Sequence, residues 1–130
     1  ILLDIDHFKA INDQYGHPTG DAVISELIKR IENSVPHTGS VGRVGGEEFT
    51  IVLPGASVGQ AAVVAGYIHA SLNASVLNAL PDRLVTVSLG VSWGARSSSF
   101  DILYAQADAA LYEAKRAGRN RVHYACQLAS

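Results

Sequence analysis

The sequence predicts an α+β fold: a mixed central β-sheet of about five strands flanked by helices. Three observations predict it. Apolar residues recur at helical spacing along three long stretches. Short runs rich in Val, Ile, Leu, Phe and Thr, bounded by Gly, Pro and Asp, read as strands. Gly45-Gly46 joins two such runs as a hairpin placed between helices, so the sheet has to contain antiparallel pairs.

The elements follow in order. "ILLDI" is a short buried strand ending in Asp4 and Asp6. "FKAINDQYG" suits one or two helical turns closed by Gly16. A long helix follows, with Val23, Ile24, Leu27, Ile28, Ile31 and Val35 on one stripe, Thr19 as its expected N-cap and Pro18 and Pro36 at its ends. "SVGRV" and "EFTIVLP" are the two hairpin strands. From Ser57 to about Leu77, Ala61, Val64, Ala65, Ile68 and Leu72 give a second helical stripe. "RLVTVSLGVSWG" alternates Leu84, Thr86 and Ser88 against Val85, Val87, Leu89 and Val91, predicting a strand with one buried face. "ARSSS" at 95–99 reads as a polar loop. A third long helix carries Leu103, Ala107, Ala110, Leu111 and Ala114 inward, with Ser99 to cap it and Gly118 to end it. "RVHYA" is a last edge strand. The order β-α-β-β-α-β-α-β suits a palm-like or ferredoxin-like plan.

The 130 residues suffice for one core, so a single domain is expected over 1–130, with 125–130 as a tail. Hydrophobic content of 48% with 17% charged residues excludes a disordered chain. A net charge of −2 offers no footprint for a nucleic acid. The single cysteine, Cys126, cannot form an internal disulfide and is compatible with a reducing cytoplasm. No run approaches the length of a membrane span, so no membrane contact is expected from this segment. The chain has no methionine and opens within a strand, as expected for a piece of a longer protein.

Strand alternation puts Asp4 and Asp6 on one side of the first strand and Ile5 on the other. If that strand neighbours the hairpin, Asp4 approaches Glu47 and Glu48 at the turn. Carboxylates gathered in this way repel one another unless a cation joins them, and hard oxygen ligands suit Mg²⁺ or Mn²⁺. Acids at strand ends and turns are also common because water solvates them there; the combination is what points to a metal. The five histidines show no metal-ligand spacing, and Trp93 and the tyrosines read as packing residues.

Four stretches, "LDIDHFKAINDQYGHPTGD", "GRVGGEEF", "VTVSLGVS" and "ADAALYEAKRAGRNRV", together resemble the GGDEF domain of diguanylate cyclases over nearly all of residues 1–124. The resemblance implies a nucleotidyl-cyclase, palm-like fold and the joining of two GTP molecules into cyclic di-GMP with loss of pyrophosphate. It implies two Mg²⁺ or Mn²⁺ ions held by Asp4 and Glu47 with the Ile5 carbonyl assisting, and Glu48 either completing the metal site or helping to activate the ribose 3′-hydroxyl. Phe8 (through its backbone N–H) and Lys9 would contact the triphosphate, and Lys115 and Arg119 the terminal phosphates. Asn12 and Asp21 would read guanine. A homodimer is implied, since each GTP must meet the other's α-phosphate, and so is an upstream sensory or dimerising domain. A non-catalytic module binding GTP or cyclic di-GMP is the competing reading, although the acids and the guanine pair are all present.

Without the resemblance, several of these residues stay open. Asn12 equally suits a turn, and Asp21 the first turn of a helix. Lys115 and Arg119, at i, i+4, equally suit the dipole at a helix C-terminus. Arg43 suits orienting the acids, assisting phosphate charge or, equally, a strand-face salt bridge. The sequence also departs from the family. Where many members carry an inhibitory Arg-x-x-Asp product site, this chain has "PHTG", Pro36 to Gly39, so no allosteric product site is expected. Val44 stands where tyrosine is usual, which suggests a packing change. The family's helical segment ahead of the first strand is missing from residues 1–130.

Overall fold

In a computed structural model the described residues are 1–94 and 98–126. Their elements are β1 (Leu2–Ile5), α1 (Phe8–Tyr15), α2 (His17–Ser34), β2 (Ser40–Val44), β3 (Glu48–Val52), α3 (Val58–Ala74), β4 (Val87–Val91), α4 (Phe100–Arg116) and β5 (Val122–Tyr124). The sheet order is β2-β3-β1-β4-β5, antiparallel throughout except for the parallel pair β4–β5. The α+β architecture with a mixed five-stranded sheet is therefore the observed one.

Side-chain alternation divides the sheet into two faces. Leu3, Ile5, Phe49, Ile51, Val87, Leu89 and Val91 belong to the main core with the apolar stripes of α2 and α3. Each such side chain removed from water contributes about 1.5–3 kcal/mol. Leu2 points the other way and packs on Ala107 and Leu111 of α4.

That second face corrects one expectation. The strand at 87–91 is buried on both sides, Ser88 included, because α4 lies across it. Contact is close at Gly90, where a Cβ would stand 2.1 Å from the Ala107 carbonyl oxygen and 2.5 Å from the Leu111 nitrogen. Alternation shows which residues share a face but not whether a helix covers it.

Other differences are local. Thr19 lies inside α2 rather than capping it; Gly16, at φ 91°, breaks α1 from α2 and serves as the N-cap, with Pro18 in the first turn. Ser57 starts α3 with a capping box, accepting from the Gln60 N–H at 3.1 Å while its own N–H donates to Gln60 Oε1 at 2.8 Å. Ser99 caps α4 as expected, accepting from the Ile102 N–H at 3.2 Å. Ala125, expected to begin the tail, is buried and donates to the Val91 carbonyl at 2.7 Å, extending the β5 ladder. The rest of the tail (127–130) and most of the expected polar loop (95–97) lie outside the described residues. Among those described, no helix is long and apolar enough to cross a membrane.

Candidate active site

The site starts from strand register. Asp4, the third residue of β1, stands opposite Glu48 on β3 and opposite Ser88 on β4. Directly opposed side chains on one sheet face lie about 5 Å apart at Cβ, so the two carboxylates share a small volume. The hairpin tip is tied to the strand end by the Ile5 N–H, which donates to the Glu47 carbonyl at 3.2 Å. The opening strand and the hairpin therefore do meet at their acids.

Helix α4 supplies the counter-groups. Lys115 Nζ lies 2.5 Å from Asp4 Oδ2, and Asp4 is nearly buried. Tyr104 donates its hydroxyl to Glu48 Oε1 at 3.0 Å. Burial pushes the Glu48 carboxyl above the ordinary carboxylate range; the Tyr104 hydroxyl and Lys115 oppose the rise, while the charges of Asp4 and Asp108 add to it. Burial and its bond to Glu48 likewise raise the Tyr104 phenol.

This shift has a consequence for stability. A raised carboxyl keeps its proton in the folded state over a window where the unfolded chain has already released it, so stability falls as pH rises through that window. Glu48→Gln removes the penalty. Its melting temperature at neutral pH is expected to exceed wild type by an amount on the order of 2 °C. Melts at stepped pH check this, since the gain should vanish at pH values below the ordinary carboxylate range.

The remaining candidates fall into two groups. Phe8 and Lys9 open α1 directly after the strand end, and His7 gives that helix no side-chain cap. Phe8 is buried and Lys9 exposed. Asn12 lies one turn on, half-buried, and its Oδ1 is shielded from solvent without a hydrogen-bond partner among the described residues. The neighbouring Gly20 is so close that a Cβ there would stand 1.9 Å from Asn12 Oδ1 and 3.2 Å from the Phe8 ring. Gly20 is thus glycine for space, and it sets the exposed Asp21 beside Asn12's helix.

Arg119 is placed differently from its i, i+4 spacing. Helix α4 ends at Arg116, and Arg119 follows a Schellman turn: its N–H donates to the Ala114 carbonyl at 3.0 Å, and that of Gly118 to the Lys115 carbonyl at 3.3 Å. It is exposed, with φ 63°, so Lys115 and Arg119 do not share a helical face. Among the described residues Arg43 makes no salt bridge; its guanidinium donates to the Gly46 carbonyl at 3.0 and 2.6 Å and closes the hairpin turn beside Glu47. Val44 is exposed on the edge strand and fills no core space.

Two residues, and the role of a third, escaped sequence reasoning. Tyr104 and Asp108 lie on the Lys115 side of α4, since positions 104, 108, 111 and 115 form one helical stripe, and that spacing was the available signal. Asp6 is a structural hub, accepting from Thr86 Oγ1 at 2.8 Å, Ser88 Oγ at 2.6 Å and the Asn120 N–H at 2.9 Å. Nothing in the sequence separates its role from that of Asp4.

Among the described residues, no three Asp, Glu, His or Cys side chains are gathered closely enough to hold an ion. The donor chemistry nonetheless fits a hard divalent cation: two opposed carboxylates, a third at the adjoining tip, and a lysine ammonium already drawn onto one of them. A cavity of about 710 Å³ opens at the opposite end of the strands, near Leu2, Val52, Trp93 and Phe100, and shares only Tyr104 with the acidic centre.

Fold and site together define an α+β domain whose acids and cations converge at one end of a mixed sheet. Residues 1–121 match the family model described as "Diguanylate cyclase, GGDEF domain", and the chain belongs to that family. Diguanylate cyclase A of Treponema denticola is 40% identical over 128 residues, covering 94% of this chain and 33% of that protein. The active GGEEF domain of a diguanylate cyclase from Vibrio cholerae superposes with a TM-score of 0.88 at 37% identity, covering 98% of this chain and 81% of that one. The GGDEF domain of DgcB from Caulobacter crescentus, solved with c-di-GMP, gives 0.87 at 35% identity, covering 95% and 74%. The chain spans about a third of the length of the curated relatives it matches.

Proposed function

We propose that this domain is a diguanylate cyclase, condensing two GTP into cyclic di-GMP with release of two pyrophosphates. The observation that carries the reading is Asp4 facing Glu48 across β1–β3 with Lys115 drawn onto the pair, on a chain of the GGDEF family.

Asp4, Glu47, Glu48 and the Ile5 carbonyl are the groups that would hold two Mg²⁺ or Mn²⁺ ions. Such ions, when bound, neutralise phosphate charge and acidify a coordinated hydroxyl. The chain's own residues do the rest. The uncapped start of α1 presents backbone N–H groups, Phe8's among them, to an anion, and Lys9 adds a cation. Lys115 and Arg119 take the terminal phosphates. The Glu48 carboxyl, raised by burial, is suited to receiving the proton of the 3′-hydroxyl. Asp21 accepts from guanine N1–H and the exocyclic amine, and Asn12 Oδ1, without a partner among the described residues, offers a further acceptor. Adenine lacks that donor pair.

In-line attack by each 3′-hydroxyl on the other GTP requires two domains face to face, so the working unit is a homodimer. Brought together by upstream sensory or dimerising segments, it would draw on the cytoplasmic GTP pool. Pro36 and Gly39, where the family's arginine and aspartate would stand, offer no charge to grip a phosphate or guanine edge, which leaves the active site as the place where product could restrain the enzyme.

Incubation with GTP and Mg²⁺ or Mn²⁺, followed by chromatography for cyclic di-GMP, tests the reading. Product from wild type supports it. GTP binding without product, in a protein shown to dimerise, overturns it in favour of a binding module. Asp21→Ala is expected to lower kcat/KM for GTP by about 30- to 100-fold and to narrow the preference over ATP. An unchanged preference in competition assays would remove Asp21 from base recognition.

A further inference from the structure

Every polar group of Asn120 is engaged, although the residue is exposed. Its N–H donates to Asp6 Oδ2 at 2.9 Å, and its carbonyl pairs with His69 Nε2 at 2.9 Å. Its side-chain amide forms a reciprocal pair with Asn73, donating to Asn73 Oδ1 at 3.0 Å and accepting from Asn73 Nδ2 at 2.9 Å. Asn73 is itself oriented by donating to the His69 carbonyl at 2.9 Å. Two residues of α3, 47 and 51 positions away in sequence, thus grip one residue of the turn after α4.

The gripped turn is unusual. Arg119 and Asn120 are consecutive non-glycine residues at φ 63° and 49°, both left-handed. Side chains disfavour that region, so the turn holds this shape only because its surroundings fix it. Three of these four hydrogen bonds are exposed and add little net stability. What they fix is direction: the turn leaves α4 just after Lys115, carries Arg119, and is anchored through Asp6 to the end of the strand that bears Asp4.

We infer that Asn73 and His69 are positioning residues for triphosphate binding, acting through Asn120 to aim Arg119 toward the terminal phosphates. The inference rests on the reading of the domain as a GTP-using cyclase. Removing the amide pair frees the Arg119 turn and weakens grip on the phosphates, while the acids at Asp4 and Glu48 stay in place. The expected signature is a rise in KM with kcat preserved, because the lost contact is made in ground and transition states alike.

The test uses Asn73→Ala, Asn120→Gly, Arg119→Ala and the Asn73→Ala/Arg119→Ala double variant, with thermal melts, GTP titration calorimetry and steady-state kinetics. Asn120→Gly keeps the left-handed backbone and its main-chain bonds, and deletes only the amide pair. Asn73→Ala and Asn120→Gly should each raise KM and the GTP dissociation constant about tenfold with kcat within about twofold. Asn73→Ala should add nothing to Arg119→Ala. Asn73→Asp, which sets an acceptor oxygen against Asn120 Oδ1 and the His69 carbonyl in place of the donating Nδ2, should lose at least as much as Asn73→Ala. Unchanged GTP affinity in a folded variant, full additivity with Arg119→Ala, or unfolding of both Asn73→Ala and Asn120→Gly would each overturn the inference. Wild type that binds GTP but makes no product would instead sink the cyclase reading, while calorimetry would still read the positioning effect.

Discussion

Glu48→Gln is expected to cut cyclic di-GMP formation by about 10²- to 10⁴-fold, the range lost when a positioned acid–base group is removed. The substitution is nearly isosteric. The new side-chain amide can still accept from the Tyr104 hydroxyl, and the backbone at this position still pairs with Asp4 across the sheet, so the fold should persist. What disappears is a negative oxygen able to take a proton or a cation. The same variant is expected to melt slightly higher at neutral pH, so its activity loss cannot be charged to instability. Chromatographic product assays beside thermal melts check both halves. Retained activity above a tenth of wild type would take Glu48 out of the chemistry.

The largest effect on stability is expected at Gly90. A methyl group there would stand 2.1 Å from the Ala107 carbonyl oxygen and 2.5 Å from the Leu111 nitrogen, both backbone atoms in the middle of α4. No rotamer change relieves such a contact; the helix must lift from the sheet, taking Leu111, Lys115 and Tyr104 with it. Gly90→Ala is expected to cost about 3 kcal/mol, the upper part of the overpacking range, and Gly90→Val more. Against a typical total of about 5–15 kcal/mol that is a large fraction. Gly66→Ala is the control. It lies within α3, where a Cβ meets nothing within 4 Å, and should stabilise by about 0.5–1 kcal/mol. Urea midpoints for the three variants decide the matter: a Gly90→Ala protein as stable as wild type would mean α4 does not sit on the strand as described.

The contrast between these positions shows what a sequence carries. Helical stripes such as Val23-Leu27-Ile31 and Ala61-Val64-Ile68 declare themselves because burial repeats with the turn of the helix. The hairpin at 45–46 was legible because its glycines mark a turn between two apolar runs. That Asp4 meets Glu48 followed from one assumption, that β1 neighbours β3, and the register supplies it. The crossing of α4 over β4 was not legible, since Ser88 and Gly90 look like solvent-facing residues until a helix is laid on them. Asp6 and Asp4 are chemically alike and close in sequence, yet one is a hydrogen-bond hub and the other faces the hairpin. Their difference lies in Thr86, Ser88 and Asn120, residues 80, 82 and 114 positions away. Lys115 and Arg119 would share a face only if the helix ran on through both, and Gly118 at φ 123° ends it between them.

The Lys115–Asp4 contact has a last consequence. A nest of acids awaiting its ligand would ordinarily push itself apart, and the strand end and hairpin tip with it. Here the flexible ammonium of Lys115, on the neighbouring helix, lies against Asp4 and offsets part of that repulsion. The acidic cluster is therefore partly compensated at rest, which helps the strand end and the hairpin tip stay together.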